Sequence, residues 1–168
     1  MRKNQYYHYF VEGEDEKKLV NVLKTDMGLV CPGKVEIFNV TQERLTKLRI
    51  MNLKQGTKVV LIFDTDAGNP EILNQNLSFL HRQGIISEVI CVTQVHNLED
   101  ELMRSCAVKQ PKELLGSRTN SDFKRDLILE KHLARKLRDA GFEMKYFWSS
   151  QDQDIYKEIK NAGYKIKR

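Results

Sequence analysis

The sequence predicts a three-layer, Rossmann-like α/β fold with a four-stranded parallel central sheet, continued by a basic, mainly helical C-terminal extension. The first observation is the run Lys58 to Phe63 (KVVLIF), whose five consecutive apolar residues suit a strand covered by helices on both faces. The second is order. Short apolar strands alternate with stretches of helical spacing, joined by short connections, in a βαβαβαβ pattern. The third is charge: residues 1–103 carry 12 Lys and Arg against 14 Asp and Glu, while residues 104–168 carry 16 against 9. The chain of 168 residues therefore divides into a core, 1–103, and an extension, 104–168, expected to pack on it.

Gln5 to Val11 (QYYHYFV) is rich in aromatics and reads as the first strand, with its tyrosines and His8 assigned to packing. Leu19, Val20, Val22 and Leu23 then recur at helical spacing, and Gly28 is a stop. Val35 to Val40 reads as the second strand. Thr41 is expected to cap a helix reaching about Asn52, with Glu43 and Lys47 paired one turn apart. After the third strand, Pro70 opens a helix with Ile72, Leu73, Leu77 and Leu80 on one face, ended by Gly84. Ser87 to Thr93 is the fourth strand. Val108 to Thr119 reads as a loop with a short helical piece. Asn120 or Ser121 then caps one long helix to about Asp139, with Phe123, Leu127, Ile128, Leu133 and Leu137 on its apolar side. Gly141 ends it, and Met144 to Trp148 is expected to form an extra strand.

Acids collect where these strands end, at the edge where open α/β sheets place their ligands. Glu12 follows the first strand and Glu16 lies one helical turn further on; Asp64 and Asp66 follow the third, and Glu99, with Asn97, the fourth. Alternation puts Asp64 and Asp66 on one side, their Cα atoms ~7 Å apart. Glu14 and Asp15 have a plainer reading, as first-turn carboxylates that complement a helix dipole. Acids this close strain one another unless a cation or a proton lies between them. Oxygen ligands in this number fit Mg²⁺ or Mn²⁺ better than zinc, and two such ions can activate water and stabilise the leaving oxygen in phosphodiester cleavage. His96 is weighed as a proton shuttle on position alone.

With FVEGEDE at 10–16, LIFDTD at 61–66 and the strand–helix order between them, residues 5–103 resemble the TOPRIM domain. That family includes topoisomerases, bacterial primases, ribosomal-RNA maturases and the overcoming-lysogenization-defect (OLD) nucleases. The resemblance implies a divalent-metal-dependent nuclease, a hydrolase of phosphodiester bonds, with Glu12, Asp64 and Asp66 as catalytic residues holding the principal ion. Glu16 matches the Glu-Gly-x-x-Glu version of the maturases and OLD-type enzymes, which implies a second ion held by Glu16 and Glu99. Asn97 stands where OLD-type sites carry serine, a departure from the pattern. The sequence carries no catalytic-tyrosine domain, primase zinc module or ATPase domain, so the expectation is a small stand-alone nuclease.

The basic extension favours a phosphate-rich partner, DNA or RNA, and Arg118, Lys124, Arg125, Lys131 and Arg135 are the expected contacts. Lys124 or Arg118 would also neutralise transition-state charge. Two rivals stay open. One is a TOPRIM-like module that binds nucleic acid or a partner without cutting. The other is a receiver-like phosphoacceptor built on Glu14, Asp15, Asp64 and Thr93, with Lys109 as its lysine. Cys31, Cys91 and Cys106 are widely spaced and read as free thiols. No apolar run approaches the ~18 residues a membrane span needs. The N-terminus lacks the apolar segment of a secretory signal, so a cytoplasmic location is expected. A homodimer or a protein partner stays open.

Overall fold

The structure, a computed structural model, describes residues 4–168. Its centre is a sheet of four parallel strands: β1 (Tyr7–Val11), β2 (Lys34–Ile37), β3 (Thr57–Asp64) and β4 (Ile86–Gln94), in the order β2-β1-β3-β4. Tyr9 stands opposite Val35 on one side and Val60 on the other. β3 pairs with β4 as far as Asp64, which faces Gln94.

Side-chain alternation splits the apolar residues of the strands between two cores. Tyr9, Val11, Val60, Ile62, Ile90 and Val92 point to one face. Leu19 and Val20 of α1 (Glu14–Asn21) cover it, as do Phe123 and Leu127 of α6 (Phe123–Leu129) and Leu133 and Leu137 of α7 (Leu133–Asp139). Phe10, Val59, Leu61 and Phe63 point to the other face, against Ile50 of α2 (Lys47–Ile50), Leu73 and Leu80 of α3 (Pro70–His81), and Tyr156. Burial of each such side chain contributes ~1.5–3 kcal/mol. The expected α/β class with a four-stranded parallel sheet is thus what the chain forms. α4 (Leu98–Ser105) and α5 (Pro111–Leu115) complete the order, α5 being the short helical piece expected between Val108 and Thr119.

Three expected elements differ. The helix from Thr41 to Asn52 shrinks to α2, because side chains satisfy the preceding backbone. Asn39 Oδ1 accepts from the Thr41 N–H and hydroxyl, while buried Asn76 donates to the Val40 and Glu43 carbonyls and accepts from Leu45 N–H. The long helix to Asp139 breaks at Glu130, whose ψ of 118° is extended. Leu127 before the break and Leu133 after it are both buried in the same apolar cluster. Met144 to Trp148 forms turns, opened by the Tyr146 N–H donating to the Glu143 carbonyl and closed by Trp148 at φ of 53°, a left-handed backbone outside the strand region. The edge of β4 is met instead by the Ala162 N–H, which donates to the Cys91 carbonyl.

Candidate active site

β2 lies on one side of β1 and β3 on the other, so the direction of winding reverses between β1 and β3. The crevice beyond the carboxyl ends of two such strands is where open α/β sheets receive ligands. Glu12 leaves β1 there and Asp64 ends β3, tied together by Asp64 N–H donating to Glu12 Oε1 at 3.1 Å. Glu16 enters from the first turn of α1, which the burial of Leu19 and Val20 presses against the sheet. Glu12, Glu16 and Asp64 each present an oxygen, and the three oxygens lie within 4.8 Å of one another.

The surroundings disfavour charge on all three. Burial, then the proximity of Asp15 and Asp64, pushes Glu16 up to about 9 from an ordinary 4.5. Burial and the Glu12 charge push Asp64 up to about 8, against the opposing hydrogen bond from Gln94. Burial also raises Glu12 to about 7, against the Asp64 amide. Glu16 Oε2 and Asp15 Oδ1 are buried with no hydrogen-bond partner. Both lie close to Gly13, where an added Cβ would sit 3.1 Å from Asp15 Oδ1 and 3.3 Å from Glu16 Oε2.

Asp66 and Glu99 stand outside the group of three, on the same edge. β3 ends at Asp64, and Asp66 is exposed in the following turn, where its Oδ2 accepts from Asn97 Nδ2 at 3.2 Å. Its charge still acts on both Glu12 and Asp64. Asn97 caps α4 by accepting from the Asp100 N–H, and Glu99 occupies the first turn of that helix, raised by burial and by Asp15. His96 is exposed, and it is its carbonyl that engages the site's turn, accepting from the Thr65 and Asp66 N–H groups. His8 pairs with Glu36 at 3.0 Å across β1 and β2.

Of the five expected nucleic-acid contacts, Lys124 belongs to the acid cluster itself. Its Nζ lies 3.6 Å from Asp15 Oδ2. Burial opposes its charge, but Asp15, Glu16 and Glu99 outweigh that and hold its pKa above the ordinary value. Arg125 pairs along its own segment with Asp122 and Asp126, while Arg118, Lys131 and Arg135 are exposed. Asp15, explained from sequence as a helix-dipole residue, proves to be a buried member of the site.

Residues that sequence reasoning did not single out brace the edge. Gln94, wholly buried at the end of β4, donates from Nε2 to Asp64 Oδ1 at 2.7 Å and accepts at Oε1 from the Trp148 indole at 3.1 Å. Glu101 receives the Val95 and Trp148 N–H groups and pairs with Arg104, whose guanidinium also reaches the Val95 carbonyl. Tyr156 donates its hydroxyl to the Ala67 carbonyl at 2.8 Å and so pins the turn after Asp66. Gly68 in that turn has φ of 84° and lies so close to Thr41 and Tyr156 that no side chain fits. Nothing local in sequence marks these residues, since a Gln at a strand end and a Trp beside other aromatics carry no spacing that betrays a partner 54 positions away. No family model, curated protein or solved structure matches this chain.

Proposed function

We propose that this chain is a Mg²⁺- or Mn²⁺-dependent nuclease of the TOPRIM type, which hydrolyses phosphodiester bonds of nucleic acid. The observation that carries the reading is the set Glu12, Glu16 and Asp64 at the sheet's switch point, with two buried, unpartnered carboxylate oxygens beside it. Such a set is costly without a counter-charge and consists wholly of hard oxygen donors, as Mg²⁺ and Mn²⁺ prefer. Glu12, Glu16 and Asp64 would hold the principal ion, and Glu99 with Glu16 a second. Asp66 adds a catalytic carboxylate at the rim. When bound, divalent ions supply an acidified water and neutralise charge on the phosphate oxygens.

The rest of the work falls to the protein's own side chains. Lys124, already held over Asp15, offers a cation to the scissile phosphate. The exposed Arg118, Arg125, Lys131 and Arg135 draw the polyanion to the extension. Gln94 and the Asp64–Glu12 contact keep the carboxylates in register while the substrate binds. A receiver-like phosphoacceptor fits less well: Thr93 is wholly buried and donates to the Ser150 carbonyl, and Glu14 is exposed.

The test is cleavage of single- and double-stranded DNA and of structured RNA, with Mg²⁺, Mn²⁺ or chelator. Asp64→Asn and Asp66→Asn are run beside the wild type. Cutting that needs metal and disappears in Asp64→Asn supports the proposal and names the substrate. Metal-dependent cutting that survives in Asp64→Asn refutes the site. Salt-sensitive binding without cutting replaces the nuclease with a nucleic-acid-binding module.

A further inference from the structure

The site just described is held partly from outside the TOPRIM-like core, by the chain's single tryptophan. Trp148 is buried, and its backbone sits at φ of 53°, in the left-handed region a bulky residue avoids unless its surroundings over-determine it. Here they do. Its N–H donates to Glu101 Oε2 at 3.0 Å, its carbonyl accepts from Asn161 Nδ2 at 3.0 Å, and Gly163 packs so tightly against that carbonyl that no Cβ fits. Everything around it fixes the indole so that Nε1–H points at Gln94.

An indole N–H can only donate, so the Gln94 amide must turn its oxygen toward Trp148 and its NH₂ toward Asp64. With the amide reversed, two oxygens would oppose each other and push the carboxylate aside. We propose that Trp148 is a positioning residue for the acid cluster: through Gln94 it orients Asp64 as an oxygen donor toward a divalent cation. The inference rests on the metal-dependent reading above and extends it to a residue of the C-terminal segment. Glu101 serves the same end, since it fixes both the Trp148 and the Val95 backbone, on either side of Gln94.

The experiment is calorimetric titration of Mn²⁺ into the purified full chain, as wild type, Trp148→Phe, Gln94→Leu and the double variant, with thermal unfolding in chelator alongside. Partners that orient a ligating side chain carry ~10-fold or more in metal affinity. We expect Gln94→Leu to weaken Mn²⁺ binding ~10-fold, Trp148→Phe by ~3- to 10-fold, and the double variant no further than Gln94→Leu. A Trp148→Phe protein that unfolds earlier in chelator yet binds Mn²⁺ as tightly as wild type shows a packing role only and overturns the proposal. So does a Trp148→Phe loss that is unchanged in the Gln94→Leu background. A folded wild type that takes up no Mn²⁺ overturns the metal reading itself, and this inference with it. Should Trp148→Phe not fold, Mg²⁺ titrations followed by the fluorescence of this tryptophan decide. An emission change in wild type that Gln94→Leu lacks supports the coupling; the same change in both, or none in either, overturns it.

Discussion

Replacing Glu16 by Gln is expected to make the metal-free protein more stable while removing its response to divalent ions. Glu16 is 4% exposed, has one carboxylate oxygen without a partner, and is pushed up to about 9 by burial and by Asp15 and Asp64. Its folded value lies above its unfolded one. The stability it contributes is therefore complete below about pH 4.5 and is lost as pH rises toward about 9. At ~1.4 kcal/mol per pH unit, the loss accumulated by about pH 8 is ~3–5 kcal/mol. A neutral amide escapes it, and its NH₂ can donate to the unpartnered Asp15 Oδ1 alongside. For a chain of this size the gain corresponds to a Tm higher by ~10 °C. The assay is thermal unfolding by circular dichroism at about pH 4.5 and about pH 8, in chelator and in Mg²⁺. Glu16→Gln should exceed wild type in chelator at the higher pH, match it at the lower, and gain little from Mg²⁺. A variant that unfolds no later than wild type at about pH 8 in chelator would refute the claim that these carboxylates repel one another.

The wild type in chelator should lose several kcal/mol between about pH 5 and about pH 8, because Glu12, Glu16 and Asp64 all have raised folded values; Mg²⁺ should flatten that profile. Asn76→Ala should cost ~3 kcal/mol in chemical unfolding, since it strips two donors and an acceptor from the buried loop between Val40 and Leu45; a loss below ~1 kcal/mol would mean that loop holds itself. Gly68→Ala should destabilise by ~2 kcal/mol or more, from its positive φ and its contact with Thr41 and Tyr156, and should weaken Mn²⁺ binding as the Asp66 turn shifts. Lys131→Ala and Arg135→Ala should each lower the slope of nucleic-acid affinity against salt by ~1 without changing the Mn²⁺ affinity of the free protein; unchanged slopes would take these residues off the binding surface.

What the sequence made legible was whatever repeats along the chain. The apolar run ending at Phe63 announces a buried parallel strand, and acids follow three of the four strands, which places Glu12, Glu16 and Asp64 at one edge from the sequence. Features set by a distant partner stayed hidden. Asn76 looks like a polar residue on a helix, yet it replaces the expected helix after Thr41 by bonding a loop more than thirty positions away. The hydrophobic stripe from Phe123 to Leu137 fits one face of a straight helix, so its periodicity gives no sign of the break at Glu130, where the backbone turns extended. Asp15 fell to a sound local argument, helix-dipole complementation, and that argument says nothing about the lysine 109 positions later that faces it.

The same distinction explains why the candidate site spans the boundary suggested by charge. Phe123, Leu127, Leu133, Leu137, Phe147 and Trp148 share one apolar cluster with Tyr9, Val11, Val60 and Ile62, so the segment after residue 103 buries one face of the sheet. Covering that face also delivers polar groups to the acid edge. Lys124 reaches Asp15 from the helix whose Phe123 and Leu127 are buried, and Trp148 reaches Gln94 from the turn that Phe147 anchors. On the opposite face Tyr156 packs on Phe63 at 5.3 Å between ring centres while its hydroxyl holds the Ala67 carbonyl. In each case the apolar body supplies the binding energy and the polar tip supplies the placement. The acids belong to the strand ends and are tied directly by core residues, Gln94 and the Asp64 N–H, while the basic extension braces that arrangement from one step out, through Trp148 on Gln94, Lys124 on Asp15 and Tyr156 on the Ala67 turn.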